Sequence, residues 1–291
     1  MIACSVIQPI LTEIKNTRKR SSLEDINEAI SLVQAVGSLT LVSHYEMRVK
    51  KVYPGAFFSK TNLQKIKLTI LEDLTKVLFI NFNISPVQQR NIENFLKIKV
   101  VDRTGLILEI FSTRAKSFEG RLQVDLARLS YEKSRLVRTW THLERQRGGR
   151  GFISGPGETQ IESDRRQLNN SIKRIKLKLK RVEKTRVLHR ESRVSLNFPM
   201  VALVGYTNVG KTTLFNKLTG SVNLQKDMLF ATLDATARRI DLPSSKPIII
   251  SDTVGFISNL PTQLIQSFKS TLDELTYADL ILHIMDVSSP S

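Results

Sequence analysis

Several features are scarce in this chain of 291 residues, and each scarcity excludes a class of protein. Cys4 is the single cysteine, so the chain cannot form an internal disulfide, and a reducing compartment is expected. No apolar run approaches the roughly 18 residues that indicate a membrane-spanning helix. These absences favour a cytoplasmic protein. The acid-poor start before Arg18-Lys-Arg20 leaves the mitochondrial matrix as an alternative.

Acidic residues are also scarce, with 27 Asp and Glu against 44 Lys and Arg, and the formal net charge is +17. Such a charge predicts a polyanionic partner, and nucleic acid is favoured over a membrane because no helical pattern offers a convincing apolar insertion face. The charge is concentrated in residues 163–193, which hold twelve basic and three acidic residues, a net +9. We expect this segment to contact RNA. The alternative, a solvated charged helix, normally carries mixed signs.

The basic segment also has an apolar stripe at helical spacing, which predicts a long helix. The stripe consists of Leu168, Ile172, Ile175, Leu179 and Val182. A second stripe precedes it, with Leu122, Leu126, Leu129, Leu136, Val137 and Leu143. Two helices facing each other as an antiparallel hairpin would bury both stripes. Between them, residues 145–157 form a basic, glycine-rich loop suited to phosphates and bases, or alternatively a flexible connector.

Residues 205–212 fit the phosphate-binding loop pattern G-x-x-x-x-G-K-[ST] at every fixed position. A buried strand is predicted before the loop and a helix after it, which is the context the pattern needs. In such a loop the lysine meets the β- and γ-phosphates of a nucleotide, and the next hydroxyl binds Mg²⁺. The candidate nucleotide-binding residues are Gly205, Tyr206, Thr207, Asn208, Val209, Gly210, Lys211 and Thr212.

Two further segments have the spacing of nucleotide switches. The apolar run Pro247-Ile-Ile-Ile-Ser251 ends in a D-x-x-G motif made of Asp252, Thr253, Val254 and Gly255. There the aspartate would hold Mg²⁺ through water, and the Gly255 N–H would sense the γ-phosphate. On its own, a D-x-x-G sequence is as often an ordinary acidic turn after a strand as it is a nucleotide switch. The candidate switch I residues are Phe230, Ala231, Thr232, Leu233 and Asp234, with Thr232 as the second metal ligand.

The remaining N-terminal part predicts a small α/β domain with a parallel sheet. Helical patterns cover residues 23–36 and 85–96, and strand patterns cover 38–42, 76–81 and 99–102. Asp102 and Arg103 are interpreted as a structural pair rather than an active site. The predicted architecture is therefore an N-terminal α/β domain (1–110), the basic helical hairpin (111–196) and a partial Ras-like P-loop GTPase domain (197–291).

Several of these segments resemble the HflX family of translation-factor-type GTPases. The resemblance rests on residues 205–216, 229–234 and 252–257, and most of all on Gly155-Pro-Gly-Glu-Thr-Gln-Ile-Glu-Ser-Asp-Arg-Arg166. It runs from about residue 24 to the last residue. It implies binding of GTP and GDP, hydrolysis of GTP with Mg²⁺, and association with the large ribosomal subunit and its rRNA. Subunit splitting or rescue of stalled ribosomes is the implied role, and a monomer is expected. Lys211, Thr232 and Gly255 are the candidate catalytic residues.

Two departures from Ras-like GTPases qualify these expectations. Phe256 stands where the glutamine that orients the attacking water is found, so hydrolysis without the ribosome is expected to be slow. No N-K-x-D motif, which reads guanine in the family, occurs in the sequence. We therefore expect a chain truncated before that motif, with a marginally stable nucleotide domain. The alternatives are a non-hydrolysing ribosome-binding protein and a P-loop ATPase.

Overall fold

The computed structural model describes residues 1–12, 22–146, 160–194, 198–220, 229–230, 233, 236–244, 246–260, 264 and 274–287. The predicted Arg18-Lys-Arg20 segment and most of the predicted glycine-rich loop lie outside these residues, as do Ala231, Thr232 and Asp234. The chain divides into two compact units. One contains residues 1–109 and 131–169, and the other contains residues 110–130 and 170–290.

A four-stranded parallel sheet forms the centre of the first unit. Its strands are β1 (Ile2–Leu11), β2 (Leu39–Val49), β3 (Val77–Ile80) and β4 (Lys99–Asp102), in the order β2-β1-β3-β4. The connecting helices are α1 (Ser22–Val36), α2 (Lys60–Glu72) and α3 (Pro86–Leu96), and α4 (Arg103–Arg114) follows β4. Every residue of β3 is buried, so both faces of the sheet are covered at this inner strand, whereas alternate residues of the edge strand β2 are exposed. The predicted parallel α/β fold is confirmed.

The helix α3 shows how local sequence sets an element boundary. The Ser85 hydroxyl accepts a hydrogen bond from the Gln88 N–H, and the Gln88 side chain accepts one from the Ser85 N–H. This capping box satisfies two N–H groups that an uncapped helix would leave without partners. Pro86 at the first helical position costs no hydrogen bond there. The helix therefore begins where the sequence predicts.

The turn after β2 is closed by apolar burial rather than by glycine. Tyr53 and Phe57 exchange two backbone hydrogen bonds of 3.1 and 2.8 Å. Phe57 has a φ of +61°, and its ring meets Phe58 edge-on, with centroids 4.9 Å apart. Both phenylalanines are buried in the core cluster of this unit. Packing of these two side chains thus holds the turn against the core.

Asp102 and Arg103 lie at the junction of β4 and α4, and each has a different partner. Asp102 forms an ion pair of 2.8 Å with Arg135, and Arg103 pairs with Glu28. The interpretation that the two residues pair with each other is therefore wrong, because successive side chains leave the backbone in different directions at a strand end. Both contacts are partly buried.

Two long helices, α5 (Phe118–Gln146) and α6 (Gln160–Val194), correspond to the predicted hairpin. Arg186, near the end of α6, forms a 2.7 Å ion pair with Glu119 in the first turn of α5, which indicates an antiparallel pair. The apolar stripe of α6 is half-buried, while nine of its basic residues are exposed. These are Arg165, Arg166, Lys173, Arg174, Lys176, Lys178, Lys180, Arg181 and Lys184. No helix among the described residues is long and apolar enough to cross a membrane.

The second unit contains a four-stranded sheet in the order β6-β7-β5-β8. The strands are β5 (Met200–Val204), β6 (Thr236–Asp241), β7 (Pro247–Asp252) and β8 (Leu280–His283), with α7 (Lys211–Thr219) following β5. Strand β5 is parallel to both β7 and β8, whereas β6 is antiparallel to β7. Phe215 of α7 packs against Leu203 and Ile250 in the core. Strand β8 lies beside β5, the strand that precedes the phosphate-binding loop.

Candidate nucleotide-binding site

The phosphate-binding loop connects the end of β5 with the start of α7. Gly205 has a φ of +152°, and a Cβ built on it would lie 2.3 Å from the Ile284 carbonyl oxygen, so only glycine fits. Gly210 has a φ of +89° and occupies the N-cap position of α7, where no side chain caps the helix. The first N–H groups of α7 therefore have no capping side chain at this position. Such a helix N-terminus is a ready anion site.

Lys211 is the first residue of α7, and its side chain is buried at 5% exposure. The ammonium Nζ donates a 2.5 Å hydrogen bond to the Tyr206 carbonyl oxygen, across the loop. Burial lowers the pKa of Lys211 from 10.5 to about 8, and the Asp252 carboxylate opposes this shift. A cation held away from water in this way interacts strongly with an incoming anion.

Thr212 and Asp252 bring the two predicted motifs into direct contact. The Thr212 hydroxyl donates a 2.8 Å hydrogen bond to Asp252 Oδ2. Asp252 is the last residue of β7 and is buried. The next residue, Thr253, donates from Oγ1 to the Leu203 carbonyl oxygen at 2.7 Å, which fixes the end of β7 against β5. Asp252, at the carboxyl end of β7, thus meets the start of the helix that follows the neighbouring parallel strand β5, which is where α/β folds place ligands.

Gly255 lies against the phosphate-binding loop so closely that no side chain fits. A Cβ there would be 2.8 Å from the Thr207 Cα and 2.9 Å from the Lys211 Nζ. The Phe256 N–H donates to the Gly205 carbonyl at 3.0 Å, and the Thr207 N–H donates to the Phe256 carbonyl at 2.8 Å. Tyr206 and Phe256 therefore form a parallel bridge between the loops. The Phe256 side chain is 39% exposed at this edge.

The candidate switch I segment is described at Leu229, Phe230 and Leu233, and all three are buried. Phe230 has a φ of +56°, which is rare for a bulky residue. Its ring meets Phe111 edge-on, with centroids 4.6 Å apart and planes at 85°. Thr236, at the start of β6, pairs with Asp252 at the end of β7. The segment therefore connects to the D-x-x-G motif through β6.

The structure brings together the described residues of the phosphate-binding loop with Asp252 and Gly255. The predicted Thr232 lies outside the described residues. Sequence reasoning missed Phe111, because an apolar residue in the last turn of α4 has the same pattern whether it packs in a core or against a switch. It also missed β6, whose residues Thr236–Asp241 alternate only weakly between half-buried and exposed positions.

Three family models match successive parts of the chain. "GTP-binding GTPase N-terminal" matches residues 23–112, "GTP-binding GTPase Middle Region" matches 114–193, and "50S ribosome-binding GTPase" matches 200–291. Among solved structures, a GTP-binding protein from Sulfolobus solfataricus in complex with GDP is 25% identical over the whole chain and 72% of its own, with a TM-score of 0.51. The SsGBP–GDP complex is 27% identical over 99% of this chain and 73% of its own, with a TM-score of 0.55. The fold and the loop define a P-loop GTPase domain.

Comparison with curated relatives shows to which family of P-loop GTPases the chain belongs. GTPase HflX of Magnetococcus marinus is 52% identical over 84% of this chain and 56% of its own length. GTPase HflX of Escherichia coli is 45% identical over 97% of this chain and 65% of its own length. GTPase HflX of Flavobacterium psychrophilum is 40% identical over 98% of this chain and 67% of its own length. The chain belongs to the HflX GTPase family. It spans between 56% and 67% of the length of these three relatives.

Proposed function

We propose that this chain binds GTP and GDP at residues 205–212 and hydrolyses GTP. The observation that carries this proposal is the contact between the phosphate-binding loop and the D-x-x-G loop at Gly255. A γ-phosphate between Lys211 and the Gly255 N–H would touch both loops, so its presence or loss would be transmitted to residues 252–257. The nucleotide-binding residues predicted from the sequence are kept as the residues of the proposed site.

The residues present fit a magnesium ion bound with the nucleotide. Thr212 and Asp252 lie side by side, with a hydroxyl for direct ligation and a carboxylate to hold a metal-bound water. Thr232 is proposed as the second protein ligand. When bound, Mg²⁺ would neutralise charge on the β- and γ-phosphates. The Lys211 ammonium is buried nearby and would contribute a second positive charge.

Hydrolysis by the chain alone is proposed to be slow. Phe256 follows Gly255 directly, and its apolar side chain cannot accept a hydrogen bond from an attacking water. What remains is positioning and charge stabilisation by Lys211 and the backbone N–H groups. Family membership suggests that the ribosome completes the site.

The large ribosomal subunit and its rRNA are proposed as the partner, reached through the basic helical hairpin. The nine exposed basic residues of α6 supply the charge for phosphate contacts. Ribosome splitting or rescue in the cytoplasm, by a monomer, is the proposed role. The division into an N-terminal domain (1–110), a hairpin (111–196) and a nucleotide domain (197–291) is retained as a proposal.

Calorimetry with GTP, GDP and ATP in the presence of Mg²⁺ tests the proposed nucleotide site. We expect GTP and GDP to bind in excess ATP, and Lys211→Ala to abolish binding of both. Lys217→Ala is the matched control, because Lys217 is an exposed lysine of the same helix. Competition by ATP as effective as by GTP would show an ATPase instead. A folded chain that binds no nucleotide but binds ribosomes would show a non-hydrolysing ribosome-binding protein.

A further inference from the structure

Three leucines at the C-terminal end of α2 have exposed side chains. Leu68 is 64% exposed, Leu71 is 63% exposed and Leu74 is 80% exposed. Leu68 and Leu71 are neighbours on the helix surface because they are three residues apart, and Leu74 directly follows the C-cap of the helix. We call these three residues the leucine ridge. The ridge is separate from the buried face of α2, which consists of Leu63, Ile66 and Ile70.

Leu74 has a backbone conformation that favours glycine. Its φ is +50°, at the position after a helix C-cap where glycine is common. The Thr75 N–H donates a 3.1 Å hydrogen bond to the Ile70 carbonyl oxygen, which closes the turn in this conformation. Phe57 and Phe230 also have positive φ, but their side chains are buried. Packing within the chain therefore accounts for those two phenylalanines and does not account for an exposed leucine.

The exposed charges next to the ridge are mostly positive. Lys67 Nζ lies 5.4 Å from the centroid of the Phe95 ring, which is 39% exposed on the neighbouring helix α3 and adds to the apolar surface. Among residues 60–99, Glu72 is the one exposed acid. The exposed lysines of α2, of the chain just after Leu74 and of the end of α3 are Lys65, Lys67, Lys76 and Lys97.

We propose that the leucine ridge is a docking surface for a protein segment that carries apolar side chains flanked by Asp and Glu. An amphipathic helix on an apolar surface is a common form of recognition, and its carboxylates would complement the lysines. RNA fits less well, because leucine side chains neither bind phosphate nor stack on bases as aromatic side chains do. A lipid surface requires no fixed shape, whereas the backbone at Leu74 is fixed at a cost in free energy.

This inference rests on the proposed function, since it assigns the acidic segment to a protein of the large ribosomal subunit. Burial of the ridge would remove from water a contiguous apolar surface of the kind that marks interaction sites. The contact would be made by the N-terminal domain. It would add to the proposed contact of α6 with rRNA, and it would depend on apolar burial rather than on phosphate.

Site-specific photocross-linking tests which class of molecule covers the ridge. A photoreactive benzoylphenylalanine replaces Leu71 in the full chain, which is bound to purified large ribosomal subunits and irradiated. We expect a cross-link to a subunit protein, at a segment rich in Asp and Glu with apolar residues among them. A cross-link to rRNA, to a basic protein segment or to a second copy of the chain would overturn the inference. So would the absence of any cross-link from a chain that cosediments with the subunits.

Val42 is the matched position for the cross-linker, because it is 45% exposed on β2 of the same unit. From there the probe should not reach the acidic segment, and the same cross-link from both positions would show non-specific contact and overturn the inference. Each of these outcomes leaves the GTPase proposal intact. A chain that does not cosediment with large subunits at all would instead remove the proposed ribosomal partner, and the inference with it.

Substitutions in the ridge give a second measurement. In Leu68→Ala we expect affinity for large subunits to fall about tenfold, the ratio expected when an interface loses one leucine side chain. Its salt dependence should stay unchanged, because no charge is removed. Leu23→Ala is the matched control, since Leu23 is 70% exposed on α1. Equal losses in the two variants, or binding to phosphatidylserine vesicles that Leu68→Ala abolishes, would contradict a protein partner.

Leu74→Gly separates docking from a structural role. Glycine adopts a φ of +50° without strain, so the melting temperature of the free chain should not fall. Affinity for large subunits should still fall about tenfold, because the exposed side chain is lost. A lower melting temperature with unchanged affinity would show that Leu74 serves the fold alone, and would overturn the inference.

Discussion

At the scale of single residues, we expect the buried Lys211 ammonium to make the affinity of the proposed nucleotide site depend on pH. In the free protein its pKa is lowered to about 8, mainly by burial. Bound phosphates favour the charged form, so the pKa is higher in the complex, and binding above pH 8 takes up a proton. We expect GTP affinity to be constant between about pH 7 and 7.5. Above about pH 8 it should fall more and more steeply, approaching a roughly tenfold loss per pH unit.

Calorimetry between pH 7 and 9.5, in two buffers of different ionisation enthalpy, measures both the affinity and the proton uptake. The Lys217→Ala variant should retain the full pH dependence, since Lys217 is exposed. An affinity that stays constant up to pH 9.5 would mean that Lys211 remains protonated throughout, and that burial does not shift its titration.

Gly255 gives a second prediction at this scale, because its neighbours leave no room for a methyl group. In Gly255→Ala the new Cβ would meet the Thr207 backbone at 2.8 Å, and backbone cannot rotate away as a side chain can. Overpacking of this kind costs ~1–3 kcal/mol, and the two loops must separate to relieve it. We expect GTP affinity to fall by roughly five- to 150-fold, which is the same free energy expressed as a ratio of affinities. Gly55→Ala is the control, since a Cβ there would meet its nearest neighbour, the Asn91 side chain, at 4.0 Å. Unchanged GTP affinity in Gly255→Ala would contradict the close contact.

At the scale of elements, Asp102 ties the end of β4 to α5. Its carboxylate accepts hydrogen bonds from the Tyr131 hydroxyl at 2.6 Å, the Gly105 N–H at 2.9 Å and Arg135 Nη2 at 2.8 Å. The Arg135 guanidinium also stacks on the Tyr131 ring, 4.4 Å from its centroid. Desolvation, the largest contribution, raises the pKa of Tyr131, and the nearby Asp102 carboxylate raises it further. The part of α5 around Tyr131 and Arg135 is therefore fixed to the end of β4 by a charged network.

Asp102→Asn tests this network. The Asp102 and Arg135 side chains are 3% and 18% exposed, so Asp102→Asn removes a buried negative charge that lies beside a largely buried guanidinium. We expect a loss of about 3 kcal/mol in the free energy of unfolding, measured by urea denaturation. Asp241→Asn is the matched control, because its pair with Arg239 is 59% and 66% exposed and 3.4 Å long. A pair in water should contribute under ~1 kcal/mol. Equal effects of the two variants would show that Asp102 does not anchor α5.

How far the sequence predicts these elements depends on whether the signal is local. The capping box at Ser85 and the glycines at 205 and 210 act within a few residues, so α3 and the loop between β5 and α7 were predictable. Strand β1 was not predicted, although it is an inner strand paired on both sides. Its partners begin at residues 39 and 77, and such distant pairing leaves no local pattern. The same holds for the separate partners of Asp102 and Arg103, which only the packed fold determines.

At the scale of the whole molecule, the placement of positive charge predicts how the proposed binding to ribosomes should depend on salt. Contacts between lysines and phosphates release counterions, so affinity falls steeply as salt rises. We expect binding of the chain to purified large ribosomal subunits to weaken by roughly a thousandfold between 50 and 200 mM salt, as for a protein that makes six or more phosphate contacts. Sedimentation of subunits with bound chain, across that salt range, measures the slope.

The position of the charge, rather than its total, decides this prediction. The salt slope is the slope of the logarithm of affinity against the logarithm of salt concentration. A triple variant of α6, with Lys176, Lys180 and Lys184 changed to Gln, should reduce this slope by about 2 to 3, because each lysine is expected to contact one phosphate. A second triple variant changes Lys217, Arg238 and Lys246 to Gln, all exposed residues of the nucleotide domain. Both variants lose three positive charges, so a non-specific attraction of the +17 chain for RNA would weaken equally in both. A reduced slope in the α6 variant alone would identify the hairpin as the docking element, and equal slopes would eliminate it.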